Sequence, residues 1–292
     1  MIPAARPAPS PPPSSPAPAR PTAPAPRRAQ PCPHPALGGV VTTRTDTVLQ
    51  LLAERASCRD FTDEQLEDSL VEEVLSAAVR APTAFNFQPY SFVVVRDPEV
   101  RAALRRIAGG QPHVVGAPVF VVFCADIRRI EELCELPGEL VSGEHPDAML
   151  TSVIDASLAG MCATLAAESL GLGTVMVGGI RNKPSATAEL LGLPPGVFPV
   201  FGLCLGRPAS TAPAPRPRLH TGLLVHRDRY DAGSGSLPPR PGATGLSSPA
   251  GEVTADDRVE WQAQIDKGRR SLGRLRAPAW RSPGAQPVPA AR

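Results

Sequence analysis

The chain has 292 residues, 42% of them hydrophobic and 20% charged, with 30 basic against 28 acidic side chains for a formal net charge of +2. The basic surplus is spread over the tails and loops, which leaves no nucleic-acid footprint, and the longest apolar runs are of strand length, which excludes a membrane span. Cys32, Cys58, Cys124, Cys134, Cys162 and Cys204 form no CxxC and no pairing rhythm, so core thiols in a reducing cytoplasm explain them better than disulfides or zinc.

Of the 37 prolines, 14 precede Val40. Interleaved with Ala, Arg and Ser, they leave too few large apolar side chains to offset ordering entropy, so residues 1–42 are expected to be a disordered extension. No apolar core of signal-peptide length occurs there. Gly, Pro and Ser dominate again from Gly233 to Gly251, and a Pro/Ala run follows Trp280. Residues 232–292 therefore read as a linker with a short basic tail, and residues 43–231 as one domain long enough for a full core.

Within that domain Val48, Leu51, Leu52 and Ala56 recur at helical spacing. The helix they predict delivers the chain to Arg55-Ala56-Ser57-Cys58-Arg59, where alternate residues carry two guanidinium groups and a hydroxyl. Such an edge suits an anion, and equally a solvated basic turn. Thr62-Asp63-Glu64-Gln65 reads as a capping box opening a helix with Leu66, Leu70, Val74, Leu75 and Ala78 on one face. Pro82 ends it. After the loop Thr83 to Tyr90, Ser91-Phe92-Val93-Val94-Val95 predicts a strand buried on both faces. Asp97 is the expected cap of the next helix, with Pro98 in its first turn and Gly109-Gly110 as its stop.

Pro118 to Ala125 predicts a central buried strand, and Leu133 to Pro146 a loop. The longest helix should run from Asp147 to Leu170, its small residues Ala156, Ser157, Ala159, Gly160 and Ala163 permitting close approach of another helix, as in a central or a subunit-interface helix. Thr174 to Val177 predicts a strand and Pro184 to Leu191 a helix. A last strand spans Val197 to Leu205, interrupted by Pro199. Such alternation without repeats predicts an α+β or α/β three-layer domain.

No nucleophile elbow, Walker loop, dinucleotide fingerprint or metal-ligand spacing occurs. His113, His220 and His226 read as loop or surface residues. Gly178-Gly179 follows a strand, where the backbone could approach a flat ligand or simply turn. Pro215-Arg216-Pro217-Arg218 offers a second cation pair on a proline-stiffened segment, fit to share a phosphate with Arg55 and Arg59 or to face solvent.

Taken in order, Arg55-x-Ser57-x-Arg59, Ala81-Pro82-Thr83-Ala84-x-Asn86-x-Gln88-Pro89, Gly109-Gly110-Gln111, Glu168-Ser169-Leu170-Gly171-Leu172-Gly173, Gly178-Gly179-Ile180-Arg181-Asn182, Phe201-Gly202-Leu203-Cys204-Leu205-Gly206 and Arg216-Pro217-Arg218-Leu219 resemble the nitroreductase family. The closest likeness is to its NADPH-dependent flavin reductases and oxygen-insensitive nitroreductases, over about Leu51 to Tyr230. That resemblance implies an α+β homodimeric flavoprotein with a central mixed sheet flanked by helices and FMN at the subunit interface. It assigns the FMN phosphate to Arg55, Ser57, Arg216 and Arg218, and places Arg59 nearer the ring. It assigns Pro82, Thr83, Ala84 and Asn86 to the ring and ribityl chain, Gln111 to the pyrimidine edge, and the backbone of Val177, Gly178 and Gly179 to the region of N5.

Three positions depart from the pattern. Ala56 stands where that branch usually has a bulkier residue, Ala84 where a serine is frequent, and Pro112 where a lysine often follows the glutamine. The long C-terminal arm of that branch is shortened here, with Val259, Trp261, Ile265 and Leu272 as a remnant beside Lys267, Arg269, Arg270 and Arg274. The implied activity is a cytoplasmic, FMN-dependent NAD(P)H oxidoreductase, NADPH donating, which passes electrons by a ping-pong mechanism to nitroaromatics, quinones or free flavin. An FMN storage protein of the same fold is the alternative.

Overall fold

The run Val119-Phe-Val-Val-Phe-Cys-Ala-Asp126 is buried at every position and forms the interior strand β2. In the computed structural model, which describes residues 48–136, 138, 140, 146–210, 215–219, 224–230, 246, 247, 259, 262, 263 and 265–267, the main sheet has the order β1-β2-β4-β3. Its other strands are β1, Tyr90–Val95, β3, Gly173–Val177, and β4, Val197–Gly206. Alternation sorts the side chains of β2: Val119, Val121, Phe123 and Ala125 pack into one core, and Phe120, Val122 and Cys124 into the other. The first core lies under helices α2, Asp68–Ala78, and α6, Pro146–Ser169. Helices α3, Pro98–Ile107, α4, His113–Gly116, and α7, Pro184–Leu191, belong to the second face. Short α1, Val48–Glu54, precedes them, and α5, Ile127–Cys134, follows β2. The α+β class and the three layers match the sequence reading.

Several local expectations give way. Every pairing in the main sheet is antiparallel, so among the described strands it is not mixed. Strand β1 is an edge strand, and Val94 is exposed, so the strand is not buried on both faces along its whole length. The capping box is not made: α2 starts at Asp68 without a side-chain cap. Thr62 is used elsewhere, its amide donating to Arg207 O at 2.9 Å beside the bridge of Phe61 to Pro208. Helix α5 occupies part of the stretch expected as loop and leaves Cys134 exposed, so that thiol is not a core residue. By contrast the Asp97 carboxylate caps α3 as expected, accepting from the Glu99 amide at 2.7 Å and the Val100 amide at 3.1 Å, and Gly109 and Gly110 end it at φ +80° and +81°.

Strand β4 departs from regular pairing at Val200. Pro199 does not interrupt the strand; Phe123 faces Phe201 and Cys124 faces Pro199, so Val200 is an extra residue, a bulge. The carbonyl of Val200 accepts from Arg181 Nη1. Phe201 also explains Gly160: a Cβ there would lie 2.3 Å from the Phe201 ring. The small residues of α6 thus admit an aromatic ring from the sheet, besides packing on α2.

Helix α6, 24 residues long, is apolar enough to cross a membrane by length and composition, contrary to the reading of the apolar runs. Here it packs along β2 and β4. The extension 1–42 and most of residues 232–292, including Trp261, Leu272, Arg269, Arg270 and Arg274, lie outside the described residues; residues 259, 262, 263 and 265–267 are helical.

Candidate functional site

The segment Arg55–Arg59 is stitched to β3, the Cys58 amide donating to Thr174 O at 2.8 Å. Cys58 is buried and its Sγ donates to Asp60 O at 3.1 Å. Arg59 is exposed and donates from Nη1 to Ser57 O at 3.3 Å. Arg55 is less available than its place in the motif implies. Its Nη2 donates to Glu168 Oε1 at 3.3 Å, and Thr174 Oγ1 donates to the same oxygen at 2.6 Å. Both side chains of the ion pair are largely withdrawn from water, and Arg55 Nε and Glu168 Oε2 are buried without hydrogen-bond partners. Glu168 is thus a functional candidate that sequence reasoning passed over, although it opens a quoted motif.

The turn after α3 and the turn after β3 close on each other. A Cβ at Gly179 would lie 2.7 Å from Ala108 O and 2.8 Å from Gln111 Nε2, so any larger residue would push the two turns apart. Gln111 Nε2 donates to Ala108 O at 2.9 Å, and Asn182 Nδ2 donates to Ile107 O at 3.3 Å. Gly178 stays exposed at the end of β3, and Val177 is buried. His113, two residues past Gln111, is buried rather than on the surface, because α4 turns it inward. Its Nε2 has no partner. Burial, and then the positive charge of Arg59, hold its imidazole below the ordinary range. The structure therefore brings Gln111 against Gly179, with His113 buried two residues on and Arg59 acting on its charge.

The loop Pro82–Gln88 is anchored elsewhere. Thr83 Oγ1 donates to Asp155 Oδ2 at 2.6 Å and the Ala84 amide to the same oxygen at 3.0 Å. Pro82 and Asn86 are exposed, and Gln88 Nε2 donates to Asn86 O at 3.1 Å. None of the described hydrogen bonds links this loop to Gln111 or to Gly178–Gly179. Arg216 and Arg218 are exposed on a segment whose β5, Arg218–Leu219, pairs with β6, Leu246–Ser247. Arg218 Nη1 donates to Arg216 O at 3.1 Å and Pro217 O at 3.3 Å. No described hydrogen bond joins them to Arg55–Arg59, nor does a shared anion require one.

A side-chain amide thus packs against glycine backbone, with a buried imidazole two residues along the chain and an exposed guanidinium near enough to act on its charge. These groups fit an anionic, flat molecule rich in hydrogen-bonding edges, as FMN is. No group of three or more His, Cys, Asp or Glu among the described residues is disposed to hold a metal ion.

Known proteins share this arrangement of sequence and fold. The FMN reductase [NAD(P)H] of Bacillus subtilis is 38% identical over 187 residues, 63% of this chain and 74% of the relative. The oxygen-insensitive NADPH nitroreductase of Salmonella typhimurium is 42% identical over 182 residues, 62% of this chain and 74% of the relative. The solved NADPH:FMN oxidoreductase of Vibrio harveyi, complexed with NAD+, superimposes with a TM-score of 0.61 at 27% identity, over 80% of this chain and 92% of that one. Residues 52–207 match the Nitroreductase family as a whole, and the chain belongs to that family.

Proposed function

We propose that the chain is an FMN-dependent NAD(P)H oxidoreductase, NADPH donating, which passes electrons by a ping-pong mechanism to nitroaromatics, quinones or free flavin. The observation that carries this reading is the packing of Gln111 against Gly179 at the end of β3 in a chain whose relatives are named FMN reductase and NADPH nitroreductase. Bound FMN would supply the redox chemistry, and the chain supplies position and electrostatics. Arg59 and Gln111 would hold the pyrimidine edge, where a cation and an N–H donor favour added electron density. Ser57, Arg55, Arg216 and Arg218 would hold the phosphate, Pro82, Thr83, Ala84 and Asn86 the ring and ribityl chain, and the backbone of Val177, Gly178 and Gly179 the region of N5. Because Glu168 already neutralises Arg55, the phosphate would lean chiefly on Ser57 and the Arg216–Arg218 pair.

The functional unit we propose spans residues 43–231, with 1–42 and 232–292 as appendages, and acts as a cytoplasmic homodimer. Exposed Leu150, Ile154 and Leu158, spaced four apart on α6, support a subunit contact. FMN storage is the second reading, motivated by Ala84 and Pro112 in place of polar side chains.

The visible spectrum of the purified protein, taken anaerobically before and after NADPH, tests the proposal. Flavin bands that bleach within the enzyme's turnover time support it and sink the storage reading; a protein that takes up no FMN overturns both. Initial rates with NADPH varied at several fixed quinone concentrations should give parallel reciprocal lines, and intersecting lines refute the ping-pong order.

A further inference from the structure

Helix α6 carries one carboxylate where its core-facing neighbours are small: Asp155 is 3% exposed, beside buried Ala156 and Ala159. A buried carboxylate is costly unless hydrogen-bonded, and among the described residues no cation pairs with it. Its described hydrogen bonds both come from one loop and both reach Oδ2, from Thr83 Oγ1 at 2.6 Å and the Ala84 amide at 3.0 Å. Thr83 Oγ1 in turn accepts from the Gln88 amide at 2.9 Å, closing the loop on itself. Between these anchors the backbone is strained. Phe85, Asn86 and Gln88 have φ of 49°, 60° and 51°, a left-handed region that Asn tolerates but that Phe and Gln adopt only when their surroundings impose it. Phe85 itself is 90% exposed, so its own burial does not hold it there.

We propose that Asp155 is a positioning residue: through Thr83 and Ala84 it locks the loop Pro82–Gln88 in its left-handed conformation, and by that lock sets the affinity for flavin. The second clause rests on the flavin reading above; the lock itself does not. The carboxylate works as a hydrogen-bond acceptor, so an amide oxygen at the same place can replace it. Removing the acceptor leaves two donors unsatisfied and frees the strained backbone to relax.

The test compares wild type, Asp155→Asn and Asp155→Ala by two readouts: amide hydrogen exchange across Thr83–Gln88 in the flavin-free full-length chain, and the dissociation constant for FMN. With Asp155→Ala, exchange should quicken in this loop while α2 and β2 keep their protection, and FMN should bind on the order of tenfold more weakly, the scale of one hydrogen bond to a charged acceptor. Asp155→Asn should restore both to within a few-fold of wild type. Thr83→Ala removes only the hydroxyl outside the core and should loosen the same loop, should Asp155→Ala fail to fold. Loop exchange unchanged in both variants that reach the lock overturns it, as does exchange rising evenly over the whole domain. A loosened loop with unaltered FMN affinity overturns the positioning role. If the wild-type chain binds no FMN, the flavin reading and the positioning role fall together, while the exchange readout still decides the lock.

Discussion

His113 pairs a buried ring with a partnerless Nε2 and a nearby guanidinium, three conditions that all favour the neutral imidazole. The unfolded chain titrates this side chain near 6.5, and the folded chain below it. Between those two values the unfolded state binds more protons, so acid favours unfolding there, and above pH 6.5 the group has no effect. Urea unfolding from pH 7.5 down to 5 should therefore show stability falling below about pH 6.5, with His113 contributing at most about 1.4 kcal/mol per pH unit. A His113→Phe variant should lose that part of the slope, and an identical slope in the two proteins would remove His113 from the account. None of this was legible in the sequence, where a lone histidine after Gln111-Pro112 reads as a loop residue; its burial depends on where α4 packs. Arg55 teaches the same lesson. The motif shows which cations are present, but the neutralising carboxylate, Glu168, lies 113 positions downstream.

At the level of elements, what a helix packs against is the harder thing to read. The small residues of α6 were legible as a place for another helix, and α2 packs there; that Gly160 admits a ring was not, since a notch for a helix and a notch for a ring have the same composition. Gly160→Ala decides which matters more. Alanine favours a helix over glycine by about 1 kcal/mol, but its methyl would meet the Phe201 ring at 2.3 Å. That ring cannot easily turn away, because it stacks on Phe123 with centroids 5.0 Å apart. Overpacking should win, with a net loss of about 1–3 kcal/mol in thermal or urea unfolding; a gain in stability would show the ring to be free. Local signals did better where chemistry acts within a few residues: Asp97 with Pro98 opens α3, and Pro184–Leu191 is helical over the expected span. The capping box failed because a long-range bridge at Phe61 claimed its first residue.

For the whole molecule, alternation of buried runs with amphipathic ones was enough to predict three layers, while strand order and direction depend on pairings between residues about 80 positions apart, such as Val122 with Gly202. Subunit contact is likewise a property that one chain's periodicity only hints at. Exposed Ile154 sits between Leu150 and Leu158 on the outer face of α6. In the homodimer proposed above, Ile154→Asp would place a charge in an apolar contact and should shift the protein toward monomer in sedimentation velocity, with little change in circular dichroism. A variant that sediments as wild type would show that this face lies outside the contact.

The bulge at Val200 bears on which parts of the chain can change length. Because Val200, inside β4, has no partner on β2, and its carbonyl receives Arg181 from the turn after β3, strand length and turn position are geared together. Losing that residue would make the ladder regular, with Phe198 and Val197 still on their faces, but would take away the carbonyl that anchors Gly178–Asn182. Insertions and deletions between Val197 and Phe201 should therefore be rejected, because they displace the Val200 carbonyl from Arg181. The tolerance of this family member to changes in chain length is thus set by a single unpaired peptide as much as by its loops.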